Sequence, residues 1–128
     1  MKILVVGGTR FFGVHLVQAL LSKGHDVTIA TRGNTKDDFG DRIHRVTVDR
    51  CDPEALQRAF LGEFYDVICD NIAYCSNDVK NILEAVRCER YILTSSVSVY
   101  PELGLDTKEE DFMPDSYPLT WCNREAPG

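Results

Sequence analysis

Three glycines near the start of the chain, Gly7, Gly8 and Gly13, enclose Thr9, Arg10, Phe11 and Phe12. Glycines in such a cluster let the backbone approach a bulky anion, because no Cβ intervenes and positive φ costs little. An apolar run, Ile3-Leu4-Val5-Val6, leads into the cluster, and a helical pattern of Phe12, Leu16, Ala19 and Leu20 follows. Strand, tight turn and helix together present unpaired N–H groups and the positive end of a helix dipole. The chemistry this allows is pyrophosphate binding, which implies a dinucleotide ligand. The spacing is not the usual G-x-G-x-x-G. It fits G-x-x-G-x-x-G, with Gly7 first, Gly13 third and Arg10 where the middle glycine would stand.

Thr31 and Arg32 come 18 and 19 positions after Gly13. An acid about 20 residues on ordinarily binds the ribose hydroxyls. Thr31 takes that acid's place, and Arg32 adds a cation that can fork onto a phosphate. Arg10 is a second cation in the turn. Together they point to NADP, with NAD as the alternative. A solvated loop charge is the other reading of Arg32.

The elements that must position these residues alternate between strand and helix, which implies a parallel sheet wrapped by helices. Strands are expected at Lys2–Val6, Asp26–Thr31, Ile43–Asp49, Asp66–Asp70 and Arg90–Ser95. Runs such as Val67-Ile68-Cys69 suit strands buried on both faces. Helices are expected at Phe11–Lys23, Pro53–Leu61 and Asn77–Arg87, with Gly24 ending the first. Asp52 reads as an N-cap with Pro53 at the first helical position. Gly33–Arg42 is too polar and short for a helix and reads as a loop. The fold class is therefore α/β, a Rossmann-type doubly wound sheet of about five strands in the order 3-2-1-4-5. Ligand should lie across the carboxyl ends of strands one and four.

On these motifs, Lys2 to Gly33 resembles the N-terminus of the NAD-dependent epimerase/dehydratase family, an extended branch of the short-chain dehydrogenases/reductases. The Gly-Gly-Thr-Arg-Phe variant is similar to an atypical reductase-like branch, of which chloroplast stem-loop RNA-binding proteins are distant relatives. The resemblance runs on through Asp49-Arg50-Cys51-Asp52 and Asp70-Asn71-Ile72-Ala73-Tyr74 to Thr94-Ser95-Ser96-Val97-Ser98-Val99-Tyr100. It implies that Asp49 bonds the adenine amino group and that Arg50 offers a backbone N–H to the ring. A plain strand-end cap is the other reading of Asp49. Ile72, Ala73 and Tyr74 would pack along ribose and pyrophosphate, although Tyr74 equally reads as a half-buried aromatic. Thr94 would join the cofactor residues.

Ser96 aligns with the family's serine or threonine that bonds the reacting oxygen, which makes it the catalytic candidate. A hydroxyl at the sheet's carboxyl edge suits that role. Capping of strand-end backbone groups is the alternative. The family's acid is a tyrosine with lysine four residues later. Tyr65, Tyr74, Tyr91, Tyr100 and Tyr117 are followed at that spacing by Cys69, Asp78, Ser95, Gly104 and Trp121. The expectation is a dinucleotide-binding domain over 1–100 and an irregular acidic extension over 101–128. The sixth strand and the substrate lobe would then lie outside the chain, as in a fragment inactive alone. When full length, such a protein would act on a nucleotide-sugar or similar small hydroxylated substrate. A non-catalytic NAD(P)-binding regulator or redox sensor is the second reading, and an RNA-binding relative the third.

Bulk properties narrow the classes further. The 128 residues suffice for one domain, and 44% hydrophobic with 27% charged residues is ordinary globular composition. The net charge of −6 is uneven, with −5 falling in 101–128 and −1 in the rest. That balance speaks against a nucleic-acid partner, which needs clustered cations. Five cysteines without a C-x-x-C pair read as reduced thiols of a cytoplasmic protein. His15, His25 and His44 lack the spacing for a metal site. No apolar stretch is long enough for a membrane span. The fifth strand would leave an apolar sheet edge, so self-association, as a homo-oligomer through that edge, is expected.

Overall fold

The structure, a computed structural model, describes residues 1–96, 104–116 and 121–123. Five parallel strands form one sheet: β1 (Lys2–Val6), β2 (Asp26–Thr31), β3 (His44–Thr47), β4 (Phe64–Asp70) and β5 (Arg87–Leu93). Their order is β3-β2-β1-β4-β5, as the alternation of elements predicts. Register pairs Val6 with Ala30 on one side of β1 and with Asp70 on the other. The carboxyl ends of these three strands are therefore level, and the loops that follow them face one another.

Three helices cross between the strands: α1 (Phe12–Ser22), α2 (Pro53–Ala59) and α3 (Ser76–Ala85). Alternate β1 residues divide the core into two layers. Ile3 and Val5 pack with Val17 of α1, Phe39 and Ile43 on one face. Leu4 and Val6 pack with Leu56 and Phe60 of the α2 region and Ile82 of α3 on the other. Each such side chain, taken fully out of water, contributes about 1.5–3 kcal/mol. Period-two burial on both faces is what makes β1 a continuous apolar run.

Local signals set most boundaries. The Asp52 carboxylate accepts from the Ala55 N–H at 3.1 Å, with Pro53 inside the cap. Gly24, at φ 80°, stands two positions after α1. Several boundaries differ from the sequence expectation. The third helix stops at Ala85, because Val86 turns extended and buries its side chain. Arg87 therefore opens β5 rather than closing a helix, and β5 ends at Leu93, before Thr94 and Ser95. The third strand is shorter than Ile43–Asp49, and the fourth begins two residues earlier than Asp66. The Gly33–Arg42 connection holds one 3₁₀ turn at Gly40–Arg42.

Beyond the sheet, 3₁₀ turns occur at Glu109–Asp111 and Pro114–Ser116. Residues 121–123 rest on the first turn of α3. The Asn77 N–H donates to the Cys122 carbonyl at 3.1 Å, and the Cys122 N–H donates to Ser76 Oγ at 2.7 Å. A carbonyl from a distant segment thus satisfies one of the helix's orphan donors. Among the described residues, no helix is long and apolar enough to cross a membrane.

Candidate functional site

A cleft of about 330 Å³ opens at the carboxyl ends of β1, β2 and β4. Its floor is the glycine turn between β1 and α1. Gly7 adopts φ 81°, a left-handed conformation that suits glycine. A Cβ on Gly13 would lie 2.7 Å from the Gly7 carbonyl oxygen, so α1 can start against the turn only with glycine there. The first turn of this 11-residue helix carries no acidic residue. The dipole end is thus unopposed by local negative charge, which suits a pyrophosphate, while the Gly13 and Val14 N–H groups turn back onto the Arg10 and Phe11 carbonyls.

The turn brings Gly7, Thr9, Arg10, Phe11, Phe12 and Gly13 to the cleft. Phe11 and Phe12 are exposed there, and Phe11 holds φ 52° although it is not glycine. Arg10 Nε donates to Thr35 Oγ1 at 3.0 Å, which aims the guanidinium along the loop after β2. Thr31 and Arg32 line the same side, and the Thr31 hydroxyl accepts from the Gly33 N–H at 3.1 Å. Asp49 and Arg50 come from the loop after β3, and Ile72 and Tyr74 from the loop after β4. Asp49 is exposed, and its carboxylate accepts from the Cys51 N–H at 2.9 Å.

The remaining candidates lie elsewhere. Ala73 is partly buried in the loop after β4, outside the residues that line the cleft. Thr94 also stands outside the cleft lining, yet it reaches the turn through Asn71. Its hydroxyl donates to Asn71 Oδ1 at 3.1 Å, and Asn71 Nδ2 donates to the Gly7 carbonyl at 3.2 Å. Ser96 is exposed beyond the end of β5, away from the cleft lining. Ser98, Val97, Val99 and Tyr100 lie outside the described residues.

Side-chain contacts that the sequence did not mark complete the site. Behind the cleft, Arg50 is buried against Asp70 in a two-pronged ion pair, Nη1 to Oδ1 at 2.5 Å and Nη2 to Oδ2 at 2.9 Å. Burial works against its charge, but the hydrogen bonds and charge of Asp70 outweigh that and hold its pKa above the ordinary arginine value. Tyr91 donates its hydroxyl to Asp70 Oδ2 at 2.6 Å. Burial first, and that bond second, push the Tyr91 phenol well up from its ordinary value. Asp78 in α3 accepts from the Tyr74 N–H at 2.9 Å. A charged residue after a strand, followed by an acid ending the next strand, was the one sequence signal for such a pair.

Comparison with known proteins agrees with this arrangement. A model of the NAD dependent epimerase/dehydratase family matches residues 3–122. The chloroplast stem-loop binding protein of 41 kDa b from Arabidopsis thaliana is 35% identical, over 77% of this chain and 30% of its own length. The chain thus spans less than a third of that relative. UDP-glucose 4-epimerase of Thermus thermophilus, solved in complex with NAD, is 26% identical, with a TM-score of 0.55 over 66% of this chain and 33% of that one. An epimerase from Methanothermobacter thermautotrophicus shares the fold at 22% identity, with a TM-score of 0.69 over 88% of this chain and 41% of that one.

Proposed function

This chain belongs to the NAD dependent epimerase/dehydratase family, and on that premise we propose that it is the NAD(P)-binding portion of an epimerase/dehydratase-like oxidoreductase. The observation that carries the reading is the glycine turn. Gly7 at φ 81° and Gly13 packed on its carbonyl leave an acid-free helix start open to a pyrophosphate. The cofactor, when bound, would supply hydride transfer. Gly7, Thr9 and Gly13 would hold its phosphates, and Asp49, Ile72 and Tyr74 would flank the adenosine. Arg10 and Arg32 favour NADP over NAD, because each can neutralise a 2′-phosphate that an acid in place of Thr31 would repel.

Ser96 would bond a substrate oxygen, and the substrate would be a nucleotide-sugar or similar small hydroxylated molecule. No tyrosine of the chain has lysine four positions on, so binding rather than turnover is the activity expected of residues 1–128. In this reading 1–100 form the cofactor domain and 101–128 an acidic extension, in a cytoplasmic protein without a nucleic-acid partner. Exposed Ile92 and Leu93 on β5, at the end of the strand order, support self-association through that edge. A single monomeric species in sedimentation at high concentration would remove that part of the proposal.

The test is calorimetric titration of the chain with NADPH and with NADH. Saturable binding that prefers NADPH supports the site and its arginines. Equal affinity for both would reduce the reading to a general NAD(P) site, and binding of neither would sink it.

A further inference from the structure

We propose that Arg50 is a positioning residue of the cleft, acting through Asp70 and Asp78 to fix the spacing of the two loops that face the adenosine. The proposal rests on the dinucleotide reading of the cleft. The loops are residues 48–52 after β3 and 71–75 after β4.

Arg50 belongs to the first loop, and its side chain is only 6% exposed. Its guanidinium forks onto Asp70, whose side chain is 0% exposed, at the last position of β4. Nη2 also donates to the Asp78 main-chain carbonyl at 2.6 Å. Both acids pass the constraint into the second loop. Asp70 Oδ1 accepts from the Ile72 N–H at 3.3 Å, and Asp78 Oδ2 accepts from the Tyr74 N–H at 2.9 Å. Ile72 and Tyr74 line the cleft together with Asp49 and Cys51 of the first loop. One cation therefore sets the position of two walls.

Stability alone is a poor reason for this pair. Apolar side chains of similar volume generally serve a core as well or better. The pair also sits between the two cleft loops rather than within either apolar layer. Its second effect is electrostatic. Asp70 and Asp78 are two buried acids next to a cleft that must admit an anion, and Arg50 offsets their field. Its Nε is buried without a hydrogen-bond partner, 4.0 Å from Asp78 Oδ1. This geometry pulls the cation toward both acids rather than toward the cleft.

Two substitutions test the assignment. R50K keeps the charge and gives up the fork, and R50M gives up both. The measurements are the NADPH dissociation constant, the thermal midpoint and site-resolved amide hydrogen exchange. The expected result for R50K is a modestly lowered thermal midpoint, because the charge stays while the fork on Asp70 is lost. NADPH binding should be about tenfold weaker, the cost of ordering two loops on binding. Faster exchange should appear in 48–52 and 71–75 while β1 and α1 stay protected. R50M should bind more weakly still. Wild-type affinity in R50K, or exchange that rises evenly across the sheet, would overturn the proposal and leave the cofactor reading intact. Failure of the wild-type chain to bind NADPH or NADH would overturn both. Should R50K not fold, D78N spares the Arg50–Asp70 fork while weakening the Tyr74 attachment and removing the charge that faces Arg50 Nε and the Cys51 thiol. It should speed exchange in 71–75, and unchanged exchange there would count against the assignment.

Discussion

Gly13 packs so closely on Gly7 that a Cβ added to it would stand 2.7 Å from the Gly7 carbonyl oxygen. The obstacle is main chain and cannot rotate aside. Gly13→Ala should therefore push α1 off the turn, destabilise the fold by about 1–3 kcal/mol and abolish NADPH binding. Gly24→Ala is the informative contrast. It meets nothing within 4 Å but forces a Cβ on a residue at φ 80°. It should cost a similar 1–2 kcal/mol and leave affinity unchanged. Urea unfolding beside calorimetry separates the two effects.

Arg32 and Arg10 should divide the preference between the two cofactors. Arg32→Ala is expected to weaken NADPH about tenfold and to leave NADH within twofold, since a charge-assisted bond to a phosphate is lost from one ligand only. Arg10→Ala should act in the same direction, with Thr35 losing its partner as well. Parallel titrations with both cofactors check this, and an equal loss for the two would contradict it.

Acid stability should depend on Asp37. The Arg45 guanidinium, bonded to its carboxylate, holds Asp37 below the usual carboxylate range. The folded state thus binds this proton less readily than the unfolded chain. The stability it contributes is fully present above about pH 4 and is lost as pH falls below that. Asp37→Asn should flatten the acid limb of a stability-against-pH curve and leave the alkaline limb alone.

The alkaline limb should depend on Tyr91. Its phenol is raised by burial and by its bond to Asp70, so the folded state keeps a proton that the unfolded chain releases near pH 10. Stability from this group is complete below that pH and declines above it. Tyr91→Phe should flatten the alkaline limb and lower stability near neutral pH by about 1 kcal/mol, the worth of one hydrogen bond. Spectrophotometric tyrosine titration should lose its last-ionising component in that variant.

The sequence displayed the strands more clearly than their neighbours in space. Leu4 and Val6 alternate with Ile3 and Val5, and such a run says strand, buried on both faces, before any coordinate is known. Asp52-Pro53 and Gly24 carry their turn chemistry in their own residue types. The Arg50 network was hidden because its partners stand 20 and 28 positions away, on elements that only the sheet order brings together. Asp78 carries no mark of burial in its residue type, yet it is buried because that turn of α3 faces the loop after β4. Val86 was equally opaque: an apolar residue continues a helical pattern as well as it starts a strand, and here it turns extended with its side chain buried in the core.

The central place of β1 has a consequence for how the chain is made. β1 emerges from the ribosome before either neighbour, pairs with β2 on one side, and waits for β4 on the other. The Lys2 N–H bonds an Asp66 carboxylate 64 positions later. Until that segment emerges, one edge of the most apolar strand stays open on the nascent chain. Parallel pairings of this range close slowly, and their unpaired intermediates stick to one another. The interval of translation between β2 and β4 is thus the vulnerable period, and a chaperone that shields strand edges would have its greatest effect on yield then.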